Sequence, residues 1–204
     1  MTPRVVDGVV DTVVKVGGGL LRVPGAFDRL TAALGALEPV PRMVVVPGGG
    51  PFADAVRVAG ELTSLDDDAA HWMAILGMEQ YGRLLAARIR GSRLVERAPE
   101  VRDALAGGRI PVLAPFRWLR EADPLPHSWD VTSDSIAAWL AGELGARRLV
   151  LVKPLAMPLA DAVDGHFACA LPAGVRVSVV GAPDVHRLGD VLRERLSHQR
   201  ASAR

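Results

Sequence analysis

Short runs of apolar, mostly β-branched residues alternate along this chain with longer amphipathic segments. The short runs predict buried strands at residues 12–16, 43–46, 93–96, 110–114, 148–152 and 175–180. The longer segments predict helices at residues 24–37, 51–62, 69–89, 100–106, 132–144 and 183–196. This alternation favours an α/β fold in which helices cover both faces of a mainly parallel sheet. Residues 116–130 and 159–171 carry no clear period, and the polar last eight residues are expected to fray.

Two glycine runs follow the first two predicted strands, at the sheet edge where parallel α/β folds bind ligands. Gly17, Gly18 and Gly19 come directly after the first strand, and Lys15 precedes them. Glycines let a backbone approach a ligand closely and turn its amides toward an anion. The lysine is placed to contact the same anion. A flexible turn between strand and helix is the alternative explanation for three glycines alone.

The second run, residues 48–50, opens a helix that is predicted to begin near Pro51. Its spacing with Ala53 also fits a dinucleotide fingerprint, but no second strand ending in an acid follows at the required distance. An anion or substrate site at a helix N-terminus fits better. Asp54 and Arg57, one turn into the helix, either face the same ligand or form a solvated surface pair.

The third motif, residues 127–138, reads His-Ser-Trp-Asp-Val-Thr-Ser-Asp-Ser-Ile-Ala-Ala. A helix that begins near Thr132 or Ser133 presents amides and hydroxyls to a phosphate. The alternatives are structural, because Asp130 or Thr132 suits an N-cap position and Asp134 in the first turn suits the helix dipole. The density of polar residues favours a binding site.

Only two of the 24 basic residues are lysines, Lys15 and Lys153. The other 22 are arginines, which codon bias in a GC-rich genome explains. Arginine replaces lysine freely on a solvated surface, but not at a site that needs a compact point charge. Both lysines stand at the ends of predicted strands rather than on charged faces. The count alone does not decide between a functional role for them and retention by chance.

Charge and composition exclude several classes of function. A net charge of +1 gives no field for nucleic acid or an anionic membrane. No apolar run suits a membrane helix, and Asp7 and Asp11 interrupt the N-terminus before a signal peptide forms, so we expect a cytoplasmic protein. The single Cys169 excludes a disulfide framework and is expected to be a packed thiol. The scattered histidines predict no protein-built metal cage, and no Ser-His-Asp triad spacing is present.

Together the three motifs resemble the amino acid kinase superfamily, which includes acetylglutamate, glutamate, aspartate, carbamate and UMP kinases. The resemblance rests on a strand ending in Lys-x-Gly-Gly-Gly, a second ending in a glycine run, and a Thr-Ser-Asp-Ser-x-Ala-Ala helix start. Three phrases are more specific: Pro-Gly-Gly-Gly-Pro-Phe-Ala-Asp, Ala-His-Trp-Met-Ala and His-Ser-Trp-Asp-Val-Thr-Ser-Asp-Ser. They are similar to the branch that phosphorylates aminomethylfuran phosphate in methanofuran biosynthesis, of which a bacterial counterpart would serve the related carrier of methylotrophs.

The resemblance implies a three-layer αβα sandwich around a mainly parallel, roughly eight-stranded sheet. It implies one domain over residues 1–204, with an acceptor half at about 1–130 and a shortened nucleotide half at about 131–196. It also implies ATP with Mg²⁺, direct in-line transfer to a small phosphorylated acceptor, and a homodimer or larger even assembly. The dimer would pair through the helix at residues 69–89, which is apolar on more than one face. The alternative is that this helix is buried inside one subunit.

The resemblance also implies a role for each candidate site residue. Lys15 and Lys153 would neutralise the transferring phosphoryl group, and Asp134 would orient them. The phosphates of ATP would contact Gly17, Gly18, Gly19, Thr132 and Ser133. The acceptor would contact Gly48, Gly49, Gly50, Asp54, Arg57, His127, Trp129 and Asp130.

The chain departs from the family pattern at two points. Lys153-Pro154-Leu155 stands where the family usually has a Thr-Asp-Val-Asp-Gly-like stretch, and no lysine beyond Lys153 supplies a second catalytic lysine. Three activities therefore stay open. The leading hypothesis is a kinase that forms a diphosphate on a phosphate monoester. The others are a kinase that acts on a carboxylate, a carbamate or UMP, and a nucleotide-binding subunit without catalysis.

Overall fold

Six parallel strands form one sheet within residues 8–193, the part of the chain that this computed structural model describes. Their order across the sheet is β3-β4-β2-β1-β5-β6, and every neighbouring pair is parallel. The strands are β1 (Thr12–Val16), β2 (Met43–Pro47), β3 (Ser92–Val95), β4 (Ile110–Leu113), β5 (Arg148–Lys153) and β6 (Arg176–Gly181). The predicted α/β class and parallel sheet are confirmed.

The expected count of about eight strands is wrong for the described residues, where the sheet has six. Residues 154–175, between β5 and β6, form two four-residue helices and turns in place of further strands. Residues 131–193 therefore contribute only β5 and β6 to the sheet.

Helices and turns occupy most of the chain between the strands. The α-helices are α1 (Ala26–Gly35), α2 (Gly50–Thr63), α3 (Asp67–Arg88), α4 (Ala98–Ala106), α5 (Phe116–Ala122), α6 (Ser133–Glu143), α7 (Leu159–Ala162), α8 (Phe167–Ala170) and α9 (Leu188–Arg193). Two 3-10 helices span Gly18–Arg22 and Ala182–Arg187. The helix predicted over 183–196 is therefore divided into a 3-10 helix and α9, and its last three residues lie outside the described residues, as do the last eight residues of the chain.

Two apolar cores lie on opposite faces of the sheet, as a three-layer fold requires. All five residues of the central strand β1 are buried, and its valines are divided between the two cores. Val14 and Val16 pack into one core, together with Leu30 of α1. Val13 packs into the other core with Leu140 of α6. Side chains alternate along a strand, so Lys15 projects toward the face that carries α6.

The helices α2 and α3 form an antiparallel hairpin joined by residues 64–66. Asp66 begins α3 as its N-cap and accepts a hydrogen bond of 2.7 Å from the amide of Ala69. Gly77 lets the two helices approach closely, because a Cβ there would lie 3.0 Å from the amide nitrogen of Ala53. Met73 and Leu76 of α3 stay 39% and 41% exposed.

Two further expectations change with the structure. Cys169 is exposed rather than packed, because the short helix α8 turns it outward from the buried Phe167. Residues 116–130, which showed no period, begin with the helix α5. None of the helices within residues 8–193 combines the length and the apolar character needed to cross a membrane.

Candidate active site

Lys15 and Lys153 project from neighbouring parallel strands onto one carboxylate. Lys15 of β1 is in register with Leu151 of β5, and Lys153 lies two residues beyond Leu151, on the same face of the sheet. The Nζ of Lys15 forms an ion pair of 2.8 Å with Asp134 Oδ1. The Nζ of Lys153 donates a hydrogen bond of 2.8 Å to Asp134 Oδ2. The structure thus brings together three residues that the sequence places far apart.

These three side chains are largely shielded from water. Their exposed fractions are 4% for Lys15, 8% for Asp134 and 13% for Lys153. Burial lowers the pKa of Lys15 and nearby Lys153 lowers it further, although Asp134 opposes both effects. Burial alone raises the pKa of Asp134, but the two ammonium groups outweigh it and hold that pKa below its ordinary value. Two cations therefore share one anion in a dry environment, where a further negative charge would be stabilised.

The two glycine runs meet directly beside this cluster. A Cβ on Gly18 would lie 2.0 Å from the Cα of Gly50, so the two backbones leave no room for a side chain. Gly50 also has a φ of 56°, in the left-handed region that favours glycine. A Cβ on Gly17 would lie 3.8 Å from the Cδ of Lys153, which places this lysine next to the first run. Both runs therefore pack at the carboxyl ends of β1 and β2.

Two amides of the glycine runs have hydrogen-bond partners, and four have none within residues 8–193. Gly17 donates a hydrogen bond of 2.8 Å to the carbonyl of Val152, and Gly48 donates one of 2.8 Å to that of Val16. The amide role expected for Gly17 is therefore corrected, because this amide belongs to the sheet. Within residues 8–193, no hydrogen bond is formed by the amides of Gly18, Gly19, Gly49 and Gly50. Unpaired amides that converge at a helix N-terminus suit an anion.

The start of α6 is capped from within the protein by Asp164. This carboxylate accepts hydrogen bonds from the amide and the hydroxyl of Thr132, at 3.0 and 2.7 Å, and from the amide of Ser135 at 3.1 Å. The Ser135 hydroxyl also donates to it. The amide and hydroxyl of Thr132 therefore already have a partner, and its contact with a phosphate stays a prediction. Thr132 and Ser133 both line the adjacent cavity.

The cap that Asp164 supplies to α6 was not predicted from the sequence. This residue lies 32 positions after Thr132, in a segment without periodicity. Its sequence context, Val163-Asp164-Gly165, matches the last three residues of the Thr-Asp-Val-Asp-Gly-like stretch that the family usually has directly after this strand. Asp164 fixes the first turn of α6, and that turn carries Asp134.

A cavity of about 220 Å³ opens beside the glycine runs, between α2, α3 and residues 128–136. Several predicted site residues line it: Gly19, Gly49, Gly50, Asp54, Arg57, Trp129, Thr132 and Ser133. Its apolar wall is formed mainly by Ala70, Ala74, Ile75, Met78, Val131 and Ile136. Such a cavity, apolar with a few converging polar groups, is typical of a small-molecule site.

The charged side chains of the cavity do not form the Asp54–Arg57 pair that the sequence analysis gave as one alternative. Asp54 accepts a hydrogen bond of 2.6 Å from Arg22 rather than pairing with Arg57. The guanidinium of Arg57 lies over the ring of Trp129, 3.9 Å from its centroid. Trp129 is thereby held against α2. Arg22 also lines the cavity and was not among the predicted residues.

His127 and Asp130 were predicted to contact the acceptor, but neither lines this cavity. His127 stacks on His71 at 4.0 Å and bonds through its two ring nitrogens to Asp68 at 2.6 Å and Asp123 at 2.8 Å. Burial lowers the pKa of His127, but its bonds to the two carboxylates raise it more, so the net shift is upward. His127 thus joins the loop after α5 to α3. Asp130 is exposed.

No group of three or more His, Cys, Asp or Glu side chains within residues 8–193 is arranged to hold a metal ion. The two carboxylates nearest the lysines already have partners, since Asp134 meets the ammonium groups and Asp164 caps α6.

Comparison with known proteins identifies the class to which this fold and site belong. The sequence profile of the amino acid kinase family matches residues 12–154. The UMP kinase from Ureaplasma parvum shares the fold, with a TM-score of 0.65 at 15% sequence identity, over 91% of this chain and 95% of that one. The chain belongs to the amino acid kinase family, and its class is that of the ATP-dependent phosphotransferases.

Two further proteins are similar to this chain in sequence. The [5-(aminomethyl)furan-3-yl]methyl phosphate kinase of Methanocaldococcus jannaschii is 28% identical over 183 residues, which cover 88% of this chain and 78% of that protein. A putative AraC-like transcription regulator of Streptomyces antibioticus is 33% identical over 142 residues. That match covers 66% of this chain and only 44% of the regulator, so it indicates shared sequence over part of that protein.

Proposed function

We propose that this chain transfers the γ-phosphate of ATP to the phosphate monoester of an aminomethylfuran, which yields ADP and a diphosphate. An acceptor phosphate oxygen forms a bond to the γ-phosphorus, and the bond from that phosphorus to the β–γ bridging oxygen breaks. The observation that carries the proposal is the contact of Lys15 and Lys153 with the two oxygens of Asp134. The relative from Methanocaldococcus jannaschii, by its name, phosphorylates this class of acceptor.

The two lysines fit a phosphoryl transfer between two anions. The transferring group carries charge on its equatorial oxygens, and catalysis depends on positioning and electrostatic stabilisation. Lys15, the more buried, would contact the transferring group, and Lys153 would reach it from the nucleotide side. Asp134 would keep both ammonium groups charged and aimed at the same position. The unpaired amides of Gly18 and Gly50 would stabilise the phosphate oxygens between them.

The acceptor would occupy the cavity between α2 and α3. Its phosphate would lie at the glycine end, near the amides of Gly49 and Gly50. Its ring would rest on the apolar wall around Ile75 and Trp129. In this arrangement most of the acceptor half would come from residues 1–130, although Val131, Thr132, Ser133 and Ile136 also line the cavity.

The nucleotide would approach from the opposite side, where residues 131–196 would form the shortened half. Its phosphates would contact Gly18, Gly19 and Ser133, beside Lys153. Gly19 and Ser133 also line the acceptor cavity, so the nucleotide and acceptor phosphates would meet there. Mg²⁺ would be held by the phosphates of ATP, because no cluster of metal ligands is arranged within residues 8–193. An enzyme that uses ATP in this way would work in the cytoplasm.

The proposal includes a homodimer. The hairpin of α2 and α3 exposes a shallow apolar groove, which includes Phe52, Val56, Met73 and Leu76. Two such grooves, facing each other in a symmetric pair, would bury the exposed parts of Met73 and Leu76. Met73 and Leu76 belong to α3, the helix through which the resemblance implies pairing, and they are exposed on the face that would meet the partner.

The test is a panel of acceptors at saturating ATP. ADP release is measured with aminomethylfuran phosphate, UMP, aspartate, glutamate and carbamate in parallel. We expect release with the furan phosphate, and a product that is stable to hydroxylamine because a diphosphate, unlike an acyl phosphate, resists it. Turnover with another acceptor alone would replace the proposed substrate. No acceptor-dependent release with any member of the panel would favour a subunit without catalysis.

A further inference from the structure

One face of α3 lines the whole length of the acceptor cavity. The lining residues of this helix are Asp67, Ala70, His71, Ala74, Ile75 and Met78. Their spacing of three and four residues is that of a single helical face. With a rise of 1.5 Å per residue, this face measures about 16 Å from the first residue to the last.

Asp67 stands at the end of the cavity that lies away from the glycine runs. Gly77, next to Met78, packs against Phe52 and Ala53 in the first turn of α2. The end of the cavity lined by Met78 is therefore beside Gly49 and Gly50, where the unpaired amides lie. Since α2 and α3 are antiparallel, Asp67 at the start of α3 is at the opposite end.

The two carboxylates of the cavity differ in their surroundings. Asp54 is neutralised by Arg22 at 2.6 Å. Asp67 lines the cavity and is exposed, and it forms no ion pair or hydrogen bond with any residue from 8 to 193. His71 lies one turn farther along the helix and remains neutral near pH 7, because burial and the neighbouring His127 lower its pKa to about 4. The outer end of the cavity therefore carries a negative charge without a partner.

This distribution of charge matches a ligand with an anion at one end and a cation at the other. The unpaired amides favour a phosphate at the glycine end, and the wall between the two ends is mainly apolar. We propose that Asp67 binds the ammonium group of the acceptor and selects for acceptors that carry a cation opposite the phosphate. This inference rests on the proposed function, since it assigns the amine of that acceptor to a residue.

The test measures binding without turnover, by isothermal titration calorimetry in the absence of ATP. The two ligands are aminomethylfuran phosphate and the analogue in which a methyl group replaces the aminomethyl group. The proteins are the wild type, Asp67→Asn and the control Asp66→Asn. The control removes the same charge one position earlier, outside the cavity, and keeps the N-cap because asparagine caps as well as aspartate.

We expect the wild type and Asp66→Asn to bind the amine about fivefold more tightly than the methyl analogue, as suits one exposed ion pair. Asp67→Asn should bind the two ligands equally. The inference is overturned if the wild type does not distinguish the ligands, if Asp67→Asn keeps the preference, or if both variants lose it. A wild type that shows this preference but releases no ADP with the amine would leave the role of Asp67 standing and overturn the proposed reaction.

Discussion

Lys15 and Lys153 contact opposite oxygens of the same carboxylate, each at 2.8 Å from Asp134. They are the only lysines of the chain, among 22 arginines. Arginine could have replaced either lysine on a solvated surface, but both lysines lie in one buried cluster where a compact ammonium group is needed. Their convergence therefore favours the functional explanation of the lysine count, which the sequence alone left open.

Replacing Lys15 tests the role of the more buried ammonium group. We expect Lys15→Met to lower kcat by about two to four decades, since a charge clamp in a dry site is worth several kcal/mol. Lys15→Arg should lose about 100-fold, because the broader guanidinium displaces the phosphate by about 1 Å. The measurement is steady-state turnover, with circular dichroism as a check of folding. Turnover within twofold of the wild type in a folded Lys15→Met would remove Lys15 from the mechanism.

Lys153 is tested by the same conservative change. Its 13% exposure and its hydrogen bond to Asp134 predict that Lys153→Arg loses about 100-fold in kcat with nucleotide binding retained. Arg102→Lys, at an exposed position on α4, is the matched control and should be silent. A silent Lys153→Arg would assign the positive charge on the nucleotide side to another residue and leave the role of Lys15 unchanged.

Asp164 positions Asp134 through the first turn of α6. Asp164→Asn keeps the shape but weakens the bonds to Thr132 and Ser135, so we expect a loss of about 1 kcal/mol in stability. We also expect kcat to fall about tenfold with little change in KM, because a small displacement of Asp134 moves both lysines. Asp161→Asn, an exposed residue in α7, is the control. A destabilised Asp164→Asn with normal kcat would make this residue purely structural.

His127 gives stability a dependence on pH. Its folded pKa lies above the ordinary value of 6.5, so its contribution is complete below about pH 6.5 and is lost as pH rises through the folded pKa. His127→Gln should therefore lower the thermal midpoint more at pH 5.5 than at pH 9. His186→Gln, whose ring contacts only the carbonyl of Pro183 among the described residues, is the control. An equal effect at both pH values would show that the bonds to Asp68 and Asp123 do not depend on the proton.

The apolar groove of the α2–α3 hairpin predicts a dimer at micromolar concentration. Met73→Glu places a charge in that groove and should shift sedimentation toward the 21.6 kDa monomer. Leu62→Glu, exposed on α2 but outside the groove, should leave the assembly unchanged. A wild type that sediments only as a 21.6 kDa species would contradict the proposed dimer.

Local patterns predicted the elements of the fold and part of the site. The β-branched runs predicted β1, β2, β4 and β5 because each is buried on both faces. The glycine runs were located correctly, since a close approach such as that of Gly18 to Gly50 excludes any side chain. The order of the strands then brought Lys15 and Lys153 together, which spacing along the chain does not show.

The parts that sequence reasoning missed depend on contacts between distant residues. Asp164 comes from an aperiodic segment and acts on a helix 29 to 32 positions earlier. The amide of Gly17 donates to Val152, in a strand far along the chain. The presence of a glycine alone therefore gave a wrong prediction for this amide. The short α5 offers too few turns for a helical period to emerge.

The central claim is that this site joins a second phosphate to a phosphate monoester. Phosphorus-31 NMR of the wild-type protein with ATP, Mg²⁺ and aminomethylfuran phosphate tests it most directly, because the coupling between phosphorus atoms reports the new bond. We predict that the single resonance of the acceptor is replaced by two mutually coupled doublets, in step with the conversion of ATP to ADP. A resonance of the acceptor that persists while ATP gives only ADP and inorganic phosphate, or no reaction, would contradict the account.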